Sequence, residues 1–110
     1  MRRGYALDLR RLLSSSILFP FLEEALFRGI IQTRIEAMLG AVWAWVLAGL
    51  LFGCYHYYVH YVVLGEALTA SNVLGLVYLT AFGMLLGVIF AKTRSLLPSF
   101  LVHAVNNVLL

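Results

Sequence analysis

From Asn72 to Ala91 the chain runs without a single Asp, Glu, Lys, Arg or His, and within that stretch only Tyr78 and Thr80 break its apolar character. At 1.5 Å per residue a helix of this length covers about 30 Å, the thickness of a bilayer's hydrocarbon core. Backbone polar groups in lipid must pair within their own segment, so such a stretch is expected to be helical. The rest of the chain agrees, since 63% of its 110 residues are hydrophobic and only 12% charged. Soluble domains run nearer half apolar and a quarter charged. A chain this short could not bury so much apolar surface from water. The reading is an all-α, multi-pass integral membrane bundle of about four hydrophobic segments.

The expected first helix runs from Leu12 to about Gln32, with hydroxyls at Ser14–Ser16 near its start and a kink or late start at Pro20. The second covers about Ala37–Tyr58 and carries Trp43, Trp45, Tyr55, Tyr57 and Tyr58. Residues 59–71, with Gly65 and Glu66, are expected to form a re-entrant or interfacial connection. The third is Asn72–Ala91. After Pro98 a fourth helix, Ser99–Leu110, reaches only about 18 Å and falls short of a full crossing. Gly49 and Gly53, and again Gly83 and Gly87, stand four apart and allow helices to approach closely. There is no strand alternation and no repeat. Residues 1–11 are read as a basic juxtamembrane flank and 12–110 as one domain.

The formal charge is +3. Arg2, Arg3, Arg10 and Arg11 all precede the first apolar run, where basic residues face anionic lipid. The expected partner is therefore the bilayer, with no nucleic acid. Lys92 and Arg94 fall at the opposite end of the pattern, so orientation stays open. A cleavable leader is not expected, because the apolar stretch Ile17–Leu22 is short and runs into Glu23 and Glu24. Cys54 is the one cysteine; an intrachain disulfide is impossible, and a buried inert thiol is expected.

The informative residues are those that cost energy in lipid. Glu23, Glu24, Arg28, His56, His103, Asn106 and Asn107 all lie in or beside apolar runs. An ionisable group at mid-membrane costs about 2.5–3.5 kcal/mol on insertion scales, so such residues turn inward and share a polar site. Glu24 and Arg28 are four apart and can pair. Glu23 lies about 100° round the helix from Glu24 and can point elsewhere. His103 and Asn107 are also four apart, and His56 follows Phe52 by four on another helix. A carboxylate and a histidine can activate water. A histidine and an amide can donate to a developing oxyanion. No serine or cysteine stands beside a base, so water is the expected nucleophile. His60 follows His56 by four, but this stretch lacks the Glu of HExxH, and an interfacial histidine is expected there.

Three segments resemble the motifs of the CAAX protease and bacteriocin-processing family (CPBP, or ABI). Glu23-Glu24-Ala25-Leu26-Phe27-Arg28 is similar to its EExxxR motif, Phe52-Gly53-Cys54-Tyr55-His56 to FxxxH, and His103-Ala104-Val105-Asn106-Asn107 to HxxxN. The resemblance implies an intramembrane endopeptidase in which Glu23 and His56 activate water and His103 and Asn107 form the oxyanion hole. Glu24, Arg28 and Phe52 support them. It also implies a membrane-associated substrate, in type II CAAX prenyl endopeptidases a prenylated peptide, and a glutamate mechanism without a cofactor. Family members carry further spans before the first motif. The chain thus resembles the catalytic half of that fold, and an incomplete N-terminal side or a partner supplying transmembrane segments is expected. Two alternatives stand beside this reading. One is a zinc-dependent protease with Glu23, His56 and His103 as ligands. The other is a non-catalytic bacteriocin self-immunity or membrane-binding protein.

Overall fold

The computed structural model describes residues 9–11 and 13–109. Arg2 and Arg3 of the basic flank, and Leu12 at the expected start of the first helix, lie outside the described residues, while Arg10 and Arg11 are exposed. Four helices account for nearly all of the rest. Helix α1 spans residues 14–39, α2 is Ala41–Val63, α3 is Ala70–Thr93 and α4 is Leu96–Leu109. No strand occurs among the described residues.

The bundle is inside-out by the standards of a soluble domain. Among its largest fully buried side chains are Arg28, Gln32 and Glu24, whereas leucines, valines and isoleucines along every helix face outward. The α2 and α3 helices are long and apolar enough to cross a membrane, yet only 28% of each apolar window is buried within the protein. The core helix of a soluble protein would hide most of that surface; here it is left for lipid. This is an all-α membrane bundle.

Helix α1 differs from its expected form in two ways. It continues past Gln32 to Leu39, and it does not start late at Pro20, because Ser14–Leu18 is already helical. Pro20 sits in the first turn of the regular segment Phe19–Glu24, directly after a wide π-type segment, Ser14–Leu18, in which the Phe19 N–H reaches back five residues to the Ser14 carbonyl. A proline ring is tolerated where a first turn begins. A second wide segment, Ala25–Gln32, follows. Gly40, at φ 92°, then turns the chain into α2, a left-handed setting that glycine adopts at little cost.

The expected irregular stretch 59–71 is shorter than anticipated. A π-type segment, Tyr58–Val63, prolongs α2, and only residues 64–69 connect it to α3. Thr69 caps α3 by accepting a hydrogen bond from the Asn72 N–H. Helix α4 starts at Leu96, so Pro98 lies in its first turn rather than ahead of it. Its fourteen residues reach about 21 Å, still short of a crossing.

The α2 and α3 helices pack along their lengths through the two glycine pairs. A Cβ at Gly49 would stand 2.8 Å from the Met84 backbone nitrogen, and one at Gly83 would stand 2.8 Å from the Phe52 ring. Neither could be admitted without separating the helices. Cys54 is exposed, contrary to the buried thiol expected. The face of α2 turned to α3 is taken by Phe52 and Gly53, and Cys54 lies a further step of about 100° round the helix.

Candidate active site

Glu23 and Glu24 leave α1 in different directions and meet the same imidazole. Glu24 is fully buried, and its Oε2 accepts a 2.8 Å hydrogen bond from His103 Nδ1. Glu23 stands 16% exposed, with Oε1 3.3 Å from His103 Nε2. The angular step between neighbouring helix residues, about 100°, places the two carboxylates on either edge of one ring. Glu23 thus lies against the Nε2 edge of the imidazole while Glu24 holds its Nδ1 edge. With Nδ1 donating to Glu24, His103 is held in one orientation from both sides.

His56 approaches Glu23 from α2. Its Nδ1 donates to the Phe52 carbonyl at 2.8 Å, because a carbonyl can only accept. Nε2 is thereby left to face Glu23, 4.0 Å from Oε2. That gap is too long for a direct bond. A water donating one hydrogen to each of two acceptors at about 2.8 Å spans roughly 4.4 Å between them. The Glu23 and His56 acceptors are therefore spaced for a shared water. The Tyr55 ring meets His56 edge-on at 5.1 Å.

Phe52 forms the wall of the site. Its ring is fully buried, with centroids 4.5 Å from His56, 5.6 Å from His103 and 5.3 Å from Phe27. The Arg28 guanidinium lies 5.1 Å from the ring centre. Arg28 is fully buried, pairs with Glu24 at 3.5 Å, and donates to the Gly83 carbonyl on α3. The guanidinium of Arg28 stands between the Glu24 carboxylate and the Gly83 carbonyl, with the imidazole of His103 on the other side of Glu24. Buried charges in a medium of low dielectric need such an opposite partner, here Arg28 against Glu24.

Asn107 lies one turn beyond His103 on α4, and its Nδ2 donates to the Ser15 carbonyl at 2.7 Å. Asn106 accepts from the Tyr78 hydroxyl on α3. The two amides together hold α4 between α1 and α3. His60 stacks 6.2 Å from His56 with nearly parallel rings, and its Nδ1 bonds to Glu66 at 2.7 Å. Among the described residues, no three His, Cys, Asp or Glu side chains are spaced to hold one metal ion. Glu23, Glu24, Arg28, Phe52, His56 and His103 thus come together, with Asn107 at the edge.

Two contributors escaped the sequence reading. Gln32, taken there as a helix end, is fully buried and donates to the Gly87 carbonyl at 2.9 Å. The signal was present, because Gln32 follows Arg28 by four, as Arg28 follows Glu24. Ser99 is also fully buried and donates to the Leu96 carbonyl; a small residue in an apolar run gives no such signal.

A helical membrane bundle with paired carboxylates and two imidazoles at its polar centre has the make-up of an intramembrane hydrolase. The family model described as Type II CAAX prenyl endopeptidase Rce1-like matches residues 6–109. The chain belongs to that family of membrane-embedded CAAX-type proteases. No curated protein and no solved structure matches it.

Proposed function

We propose that this chain hydrolyses a peptide bond of a membrane-associated substrate, with a prenylated CAAX-type peptide as the substrate class its family suggests. The observation that carries the reading is the position of Glu23 between two imidazole Nε2 atoms, 4.0 Å from His56 and 3.3 Å from His103. A water held by Glu23 and His56 gives a proton to the Glu23 carboxylate as its oxygen attacks the scissile carbonyl carbon. The carbonyl π electrons move to oxygen, and the oxyanion accepts hydrogen bonds from His103 and from the second N–H of Asn107. As the tetrahedral intermediate collapses, the C–N bond breaks and the proton taken from water passes to the leaving amine. The catalytic residues are Glu23, His56, His103 and Asn107, supported by Glu24, Arg28 and Phe52. The reading includes a multi-pass setting in the bilayer.

The test is cleavage of prenylated CAAX peptides by purified protein in lipid, comparing wild type with Glu23→Ala and His56→Ala. Loss of cleavage in both, persisting activity with a chelator present, and unchanged folding of the variants would support the water-activating pair. Activity and bound zinc lost together on chelation would move the assignment to a metal site. Cleavage by Glu23→Ala at the wild-type rate would overturn the reading.

A further inference from the structure

Four polar residues recur at a spacing of four along α1: Glu24, Arg28, Gln32 and Glu36. In a regular α-helix a spacing of four drifts by about 40° at each step, so the fourth residue would stand about 120° away from the first. The wide segment Ala25–Gln32 takes more residues per turn and offsets that drift. All four residues find partners in the second half of the chain. Glu24 meets His103, Arg28 meets the Gly83 carbonyl, Gln32 meets the Gly87 carbonyl, and Glu36 takes a bidentate pair from Arg94 at 2.7 and 2.6 Å. From Arg28 to Gln32 and from Gly83 to Gly87 both helices advance by four, so α1 and α3 run parallel and in step.

We propose that Gln32 is a positioning residue for the reaction. As the third rung of this ladder it sets the rise and rotation of α1 against α3, and thereby keeps Glu23 in front of His56. The inference rests on the role given to Glu23 above. Arg28 alone is a pivot; a second bond one turn away removes the rotation about it. Gln32 carries no charge, so its contribution is separable from the charge balance of the site. Its Oε1 is buried without a hydrogen-bond partner, which singles out the donor as the working end of the amide. Gly87 is matched to it: a Cβ there would stand 2.8 Å from the Trp45 Cβ and 2.9 Å from Gln32 Oε1. A slip of one residue would move Glu23 by 1.5 Å and turn it by about 100°. A misplacement of that size costs about a hundredfold in rate.

The test uses the full chain in lipid vesicles with a prenylated CAAX peptide, reading kcat and KM per folded molecule. Gln32→Leu is expected to lower kcat about tenfold or more, with KM within about twofold. Gln32→Glu is expected to fall relative to wild type as pH rises, because only a protonated carboxyl can donate to the Gly87 carbonyl. A second readout needs no catalysis. In a Cys54→Ala background, spin labels at Ile30→Cys and Leu85→Cys, both on exposed faces, should show a shifted or broadened distance distribution once Gln32→Leu is added. An unchanged distribution overturns the proposal whatever happens to activity. So does a wild-type kcat for Gln32→Leu while Glu23→Gln is inactive, or a Gln32→Glu to wild-type ratio that is flat with pH. Activity surviving in Glu23→Gln instead removes the reading of Glu23, and the label distances still decide the ladder.

Discussion

Where α1 meets α4, the buried side chains include Glu24, Ser99 and His103; where α2 meets α3, Gly49, Gly53, Gly83 and Gly87 bring the helices close beside Ala48, Phe52 and Leu86. In lipid the hydrophobic effect does not press helices together, so association relies on close packing and hydrogen bonds. The two interfaces divide those means. The glycine seam brings backbones near enough for dispersion and exposes carbonyls, at Gly83 and Gly87, that side chains of α1 can reach. The polar seam uses those carbonyls and pairs Arg28 with Glu24. Chemistry and close packing are thus carried by different surfaces that meet along α3.

That division can be broken at several points. The largest effect is expected from Glu23→Gln, which keeps the side chain's shape but removes the base. It should lower kcat about 10³-fold in peptide cleavage and barely move the unfolding midpoint, because Glu23 is partly exposed. A comparable loss of stability would show that the polar seam cannot be separated into chemistry and support.

Arg28→Met should act the other way, on stability first. Removing one partner of a buried pair leaves Glu24 uncompensated, at a cost of about 3–5 kcal/mol. Thermal unfolding in detergent or lipid would read it. A near-neutral result would mean that the His103 hydrogen bond alone satisfies Glu24.

On the glycine seam, Gly49→Ala should cost about 1–3 kcal/mol by forced separation of α2 and α3. Gly53→Ala should cost less. The added methyl at Gly49 meets the Met84 backbone, whereas at Gly53 the nearest atom is the rotatable Thr80 hydroxyl. Both should retain most activity per folded molecule. If Gly49→Ala abolishes cleavage while remaining folded, the seam reaches into the site more directly than its geometry indicates.

The smallest effect belongs to Glu36, at the surface end of the ladder. The Arg94 hydrogen bond holds its carboxyl below the usual value of 4.5. A carboxyl whose folded pKa is depressed stabilises the fold above its unfolded pKa, and that contribution is lost as pH falls through the folded value. Glu36→Gln should therefore lower the melting temperature slightly at neutral pH and converge with wild type in acid. High salt should shrink the difference, since exposed pairs are weak and screened. Divergence in acid would contradict this assignment.

Much of the fold was legible because lipid imposes a simple rule. Long apolar runs without charge read as helices, and α3 falls within two residues of its expected ends at both termini. Several departures from expectation fall at or beside segments where hydrogen bonding is irregular. Pro20 follows a wide segment, α2 is prolonged through Tyr58–Val63, and α1 continues beyond Gln32. Wide turns leave no composition signature, and a proline looks the same in sequence whether it breaks a helix or opens a new turn. Cys54 was misjudged for a related reason: in a run apolar on every face, residue type does not tell lipid from core.

By itself, the sequence determined that this chain is a membrane helix bundle and which few residues cost too much to be idle, because burying charge in lipid is expensive regardless of fold. Tertiary structure alone decided how those residues pair. That His103 stands between Glu23 and Glu24, that His56 turns Nε2 toward Glu23, and that Gln32 reaches the Gly87 carbonyl all depend on contacts between helices. Spacing along one helix defines a face. Only packing determines what that face meets.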